Sequence, residues 1–160
     1  MLRSDIRMIA LDFETTGLDT ATDEPIQIGI VEFNNKGEII GGFQSLIRPE
    51  KPLKELKSIV SFITGLSVEK LEHAPTRAEV EQEISTFFWD QTVIIGHNIG
   101  FDLEFLRKFF PSISWKAEID TFRLAQTLIH YAPSYALEIL CESLQSKANF
   151  QQILKNLQLS

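Results

Sequence analysis

Three carboxylates in this chain are spaced for metal-assisted phosphate chemistry. Asp12 and Glu14 close an apolar run that begins at Ile9. Residues two apart on a strand share a face, so the two carboxylates project together with oxygens roughly 5 to 7 Å apart, while Leu11 and Phe13 enter the opposite layer. Neighbouring like charges repel. A pair of Mg²⁺ or Mn²⁺ ions about 3.5 to 4 Å apart would relieve that repulsion and form a phosphoryl-transfer site. Taken alone, the pair reads equally well as an acidic strand end in solvent.

The third carboxylate is Asp102. Residues 94–106 run from an apolar strand straight into a helix, with Gly96 allowing a close turn and Asn98 placed to cap the helix. Asp102 then falls near the first turn, where the positive end of the helix dipole favours a carboxylate. Singly, Asp102 serves the dipole and Asn98 the cap. Combined with Asp12 and Glu14, a shared oxygen-rich metal site is a better account than three separate accidents.

The elements that must position these groups fit one domain. The chain has 160 residues, 44% hydrophobic and 23% charged, with no internal repeat and no Gly/Ser/Pro linker. No apolar run approaches the roughly 18 to 20 residues of a membrane span, and Asp12 interrupts the N-terminal apolar stretch before a signal-peptide core can form. The expectation is a cytoplasmic protein with no membrane partner. The single cysteine, Cys141, makes neither an internal disulfide nor a Cys-based zinc site. A net charge of -7 argues against nucleic acid on charge alone. Carboxylates that hold phosphate through metal ions reverse that argument.

Strands are expected over residues 7–13, 26–33 and 39–47, the last two joined by Asn34-Asn35-Lys36-Gly37, which is hairpin-turn chemistry. Apolar spacing predicts a helix over 56–63 closed by Gly65, and another over 77–89 with Thr76 and Glu79 as a capping box. A short strand over 92–95 precedes a helix from Asn98 to about Phe110, stopped by Pro111. Further helices are expected over 121–130 and from Tyr135 to about Leu144. Strands first and then a strand among helices imply an α/β or α+β sheet with helices packed on it.

The string Asp12-Phe13-Glu14-Thr15-Thr16-Gly17 resembles the first motif of the DEDD superfamily of 3'-5' exonucleases, which includes the proofreading epsilon subunit of bacterial DNA polymerase III. Gly96-His97-Asn98-Ile99-Gly100-Phe101-Asp102 resembles the second motif. Ser61-Phe62-Ile63-Thr64-Gly65-Leu66 with Ala74-Pro75 resembles the linking segment, and Ile119-Asp120-Thr121 with Pro133-Ser134-Tyr135-Ala136-Leu137 the stretch before the third. The resemblance implies a ribonuclease H-like fold, a central mixed sheet with three antiparallel strands first, flanked by helices. It implies that Asp12, Glu14 and Asp102 hold two divalent ions, Mg²⁺ or Mn²⁺, and that Thr15, Thr16, His97, Asn98 and Phe101 contact the substrate. The implied substrate is the 3' end of a nucleic-acid strand, single-stranded DNA foremost, and the implied partner a polymerase or another replication or repair protein.

The same resemblance calls for a third motif, a histidine that acts as general base and, five residues later, a fourth metal carboxylate. Residues 143–160 read SLQSKANFQQILKNLQLS, with two lysines and no histidine or acid. Nothing in the spacing brings His73 or His130 to Asp12, Tyr131 and Tyr135 lie in the stretch that resembles the preceding segment with no aspartate four residues later, and Glu138 and Glu142 read as solvent-facing. Set against the family, the chain stops one helix short of a complete site. Three readings follow: an exonuclease of impaired turnover, a noncatalytic nucleic-acid-binding or adaptor module, or a truncated product completed by another segment. Phe150, Ile153, Leu154 and Leu157 suit a helix, or a contact with a second chain.

Overall fold

The computed structural model describes residues 6–52 and 68–144. The helix expected over 56–63 and the tail beyond 144 lie outside them.

Five strands form one mixed sheet. β1 (Met8–Thr15), β2 (Pro25–Phe33) and β3 (Ile39–Leu46) make an antiparallel meander, and β4 (Val93–Gly96) and β5 (Ala117–Asp120) add in parallel on the other side of β1. The order is β3-β2-β1-β4-β5. This is the expected mixed sheet with three antiparallel strands first. The β2–β3 turn forms as its composition requires: Gly37 takes φ 77, and Asn34 Oδ1 accepts from the amides of Lys36 and Glu38 at 2.9 and 3.0 Å.

The helices are α1 (Val68–Glu72), α2 (Arg77–Ile84), α3 (Gly100–Phe109), α4 (Thr121–Leu128) and α5 (Leu137–Ser143). One face of the sheet supplies Ile9, Leu11, Phe13, Ile28 and Ile30. Against it pack Val80 and Ile84 of α2 and Leu103, Phe105, Leu106 and Phe109 of α3. Fully burying one such side chain contributes about 1.5–3 kcal/mol, so this layer fixes α3 on the sheet. Phe13 stacks on Phe110, just beyond the end of α3, with ring centroids 5.8 Å apart.

Several boundaries differ from those expected. The capping box of α2 is present, with Thr76 Oγ1 accepting from the Glu79 amide at 3.3 Å and Glu79 Oε2 accepting from the Thr76 amide at 2.7 Å. α2 nevertheless ends at Ile84 instead of 89, passing into a 3-10 turn over Ser85–Phe87 in which the Ser85 and Thr86 hydroxyls donate back to the carbonyls of Gln82 and Glu83. Asn98 does not cap α3. It sits at φ 62, the helix begins at Gly100 after Ile99, and the Asn98 amide donates instead to Asp120 Oδ1 at 2.9 Å. β5 and α1 were not anticipated from sequence. Helix α4 stops at Leu128, two residues short of the expected 130, and α5 starts at Leu137 rather than Tyr135.

Candidate active site

β1 alternates as its pattern requires. Ile9, Leu11, Phe13 and Thr15 are buried, while Met8, Ala10, Asp12 and Glu14 are half-buried on the other face. Across from Asp12 on β2 stands Gly29, which offers no side chain to crowd the carboxylate. A register shift between Glu14 and Thr15 ends the regular pairing and turns the chain into the segment after the strand.

Asp102 approaches from the first turn of α3. Its Oδ1 accepts from the backbone amide of Phe13 at 2.9 Å. The third carboxylate is thereby tied to the residue between the other two. Asp12 and Asp102 line one pocket of about 230 Å³ with His97, Thr121 and Leu137 among its walls. Burial pushes the Asp102 carboxyl from 3.8 to about 6, against the pull of the Phe13 amide and its own, with the Glu14 charge adding to the rise. Burial also raises Glu14. Both carboxylates therefore carry a charge that the fold alone does not reward.

The donor chemistry fits a hard divalent cation. All three groups are carboxylates, Glu14 and Asp102 are desolvated with the Glu14 charge working against that of Asp102, and no Lys or Arg forms an ion pair with Glu14 or Asp102 among the described residues. Among those same residues, no group of three His, Cys, Asp or Glu side chains is close enough to hold a metal ion by itself. Asp12, Glu14 and Asp102, expected to form a shared site, therefore do not close a cage by themselves, and any ion they hold takes its remaining ligands from water or substrate.

The other expected site residues have structural partners. Thr15 donates to the Gly17 carbonyl at 2.6 Å. The Thr16 amide donates to the Glu24 carbonyl at 2.9 Å, and its hydroxyl accepts from the Glu24 amide at 3.0 Å. His97 Nε2 donates to the Tyr135 carbonyl at 2.7 Å, and Nδ1 lies 3.1 Å from the Thr121 hydroxyl, which also donates to the Gly96 carbonyl. Phe101 is half-buried against Phe105, ring centroids 4.8 Å apart.

Sequence reasoning gave no role to Asp120 or Thr121. Asp120 Oδ1 accepts from the amides of both Asn98 and Phe122 at 2.9 Å, joining the β4–α3 turn to the start of α4. A lone Asp before a predicted helix carried the capping half of that signal. The Asn98 half needed the sheet.

The exonuclease family model of RNase T type matches residues 9–150. The chain belongs to the DEDD-type 3'-5' exonuclease family. It is 38% identical over 144 residues to the DNA polymerase III PolC-type of Thermotoga maritima, covering 88% of this chain and 10% of that protein. Against the 3'-5' exonuclease DinG of Staphylococcus epidermidis it is 35% identical over 137 residues, covering 83% and 15%. The chain thus spans only a small part of these relatives. Exonuclease I in a complex with SSB and the inhibitor CFAM superimposes with a TM-score of 0.74 at 20% identity, over 94% of this chain and 39% of that one. Escherichia coli exonuclease I with a 5cy-dA13 oligonucleotide gives 0.68 at 22%, over 85% and 35%. These likenesses show the fold, which is ribonuclease H-like. No helix among the described residues is long and apolar enough to cross a membrane.

Proposed function

We propose that this domain engages the 3' end of a DNA strand, single-stranded in the first instance, through divalent metal ions, Mg²⁺ or Mn²⁺, and belongs to the machinery that releases nucleoside monophosphates from it. The observation that carries the reading is the meeting of Asp12 and Asp102 in one pocket, with Glu14 near enough to raise the Asp102 pKa. When bound, the ions would supply Lewis-acid stabilisation of the scissile phosphate and a reactive water at neutral pH. Asp12, Glu14 and Asp102 would hold them. The Phe13 amide keeps Asp102 oriented, so its charge is presented to the pocket.

The neighbouring residues shape the site around that charge. Thr15 and Thr16 spend their hydroxyls on Gly17, Asp23 and Glu24 and fix the chain leaving β1, so any contact they make with a terminal nucleotide runs through what those bonds leave open. His97 and Asn98 hold the β4–α3 turn, and Phe101 offers a half-buried ring beside it for a base.

In this chain of 160 residues, no histidine or acid follows Glu142. A general base contributes about 10² to 10⁴ in rate, so turnover by the chain alone is slow. The same observation supports a second reading, a module that binds 3' ends without cleaving them. The experiment is to incubate the chain with a single-stranded DNA of defined 3' end and Mn²⁺, measuring mononucleotide release and binding together. Slow, metal-dependent release abolished by Asp12→Asn supports the first reading. Metal-dependent binding without release supports the second, and neither binding nor release would sink both.

A further inference from the structure

β3 lies at the outer edge of the sheet, and among the described strands none pairs with its far side. Edge strands ordinarily carry lysines or a proline that keep other chains from adding to them. From Ile39 to Leu46 this one reads IIGGFQSL, with neither, and with no charge of any kind. A bulge at Ile40, set by the register shift against Glu32 and Phe33, interrupts only the end next to the turn, and Ile39 and Ile40 stand 42% and 57% exposed there.

The direction of the backbone groups follows from the bonds to β2. The Ile47 amide donates to the Ile26 carbonyl at 2.8 Å, and opposed residues in an antiparallel pair alternate between bonded and unbonded. Ser45, Phe43 and Gly41 therefore spend their amides and carbonyls on β2. Leu46, Gln44 and Gly42 turn theirs to the outer edge, where they form a template for another strand.

The sequence of β3 itself fits that template. Laid antiparallel across a two-fold axis at Phe43, a second β3 puts Gly42 opposite Gln44, so residues that face outward on both copies exchange bonds. It also brings Leu46 opposite the exposed Ile40. At both ends Glu38 then meets Arg48, two exposed residues that form no ion pair among the described residues. The neighbouring registers with the same bonding are worse: an axis at Gly42 sets Lys36 opposite Arg48, and an axis at Gln44 sets Glu38 opposite Glu50.

We propose that two copies of this chain join edge to edge through β3 in the Phe43 register, making one sheet with five strands from each copy. The axis stands perpendicular to the sheet, so both carboxylate clusters open on the same face. Their β1 strands lie about 24 Å apart, across five strand spacings.

Sedimentation of the full chain over a range of concentrations tests this. A chain that stays monomeric up to about 1 mM overturns the proposal. Gln44→Pro removes one outward N–H and no bond to β2, a change that an edge strand tolerates, so it should leave a folded monomer. Glu38→Arg sets arginine opposite arginine at both ends and should raise the dissociation constant of the dimer about tenfold; adding Arg48→Glu should restore it. A dimer that persists in folded Gln44→Pro, or an association that ignores the charge exchange, overturns the proposal. The register has its own readout in chains that also carry Cys141→Ser. Opposed residues of an unbonded pair have Cα atoms about 4.5 Å apart, within disulfide reach, so Phe43→Cys should oxidise to a linked dimer. Gln44→Cys, opposite Gly42 and not its own copy, should not, and equal linking at the two positions overturns the proposal.

Discussion

The backbone amide of Phe13 holds Oδ1 of Asp102 at 2.9 Å, across 89 positions of sequence. A strand residue whose neighbours on both sides are acidic thus fixes the third acid of the set. The bond sets orientation but does not repay burial, because Asp102 still titrates at about 6 instead of 3.8.

That residual cost predicts a pH dependence. A carboxyl whose pKa is raised by folding binds its proton more tightly in the folded chain, so stability without metal falls as pH climbs from about 4 to about 6. The two values correspond to a loss of about 2–3 kcal/mol. Asp102→Asn keeps an oxygen for the Phe13 amide and removes the charge. In a chelating buffer it should be more stable than the parent by that amount at pH 8, the gap closing as pH is lowered through 6 toward 4. Urea unfolding at several pH values measures this, and a gap that does not change with pH would refute it.

Metal should offset the Asp102 effect. At a Mn²⁺ concentration about a hundred times its dissociation constant, the parent should gain about 2.7 kcal/mol at pH 8. Asp12→Asn and Asp102→Asn should lose most of that gain. Protons compete for the same oxygens, so the gain should shrink below pH about 6. Thermal unfolding with and without Mn²⁺ reads both effects; a gain retained by either variant would remove that residue from the site.

His97 predicts a positioning effect separate from the carboxylates. Its ring joins the β4–α3 turn to the Tyr135 carbonyl and the Thr121 hydroxyl. His97→Ala leaves that carbonyl without its donor and should cost about 1–3 kcal/mol. Amide hydrogen exchange should accelerate at the start of α5 while β1 and β2 remain protected. Unaltered exchange around Leu137 would show that the ring bears no such strain.

Two caps are expected to behave differently. Thr76→Ala removes one local capping box and should cost about 1 kcal/mol. Asp120→Ala removes the N-cap of α4 and also the acceptor of the Asn98 amide, so its cost should be greater, about 2 kcal/mol. Asn98→Gly, at φ 62, should be nearly neutral. Denaturant midpoints rank the three, and an Asp120→Ala cost no larger than that of Thr76→Ala would show that the long-range bond contributes nothing.

The contrast between Thr76 and Asn98 explains what could be read from sequence. Thr76 and Glu79 satisfy each other within four residues, so the box is legible in the string itself. Asn98 has the same look, but Asp120 draws its amide away from a different strand, and only the assembled sheet places the two together. β5 was missed for a related reason. Ala117, Glu118 and Ile119 are exposed on an edge strand, with no apolar run to announce it. The meander over residues 8–46 was legible because its apolar runs and its Asn-Asn-Lys-Gly turn are local, and the carboxylates were legible because strand alternation and a strand-to-helix junction bring two of them to one face and the third nearby. The bond from Phe13 to Asp102 left no trace in either segment.

Phe13 grips α3 twice. Its amide holds Asp102 in the first turn, and its ring stacks on Phe110 just past the last turn. A helix pinned near both ends by one strand residue has no freedom to slide along that strand. The spacing between the acids of β1 and the acid of α3 is therefore a dimension of the apolar layer, set by how well an aromatic pair fills its space. Trimming Phe110 would be felt as a change in the gauge of the carboxylates, although no atom of Phe110 belongs to them.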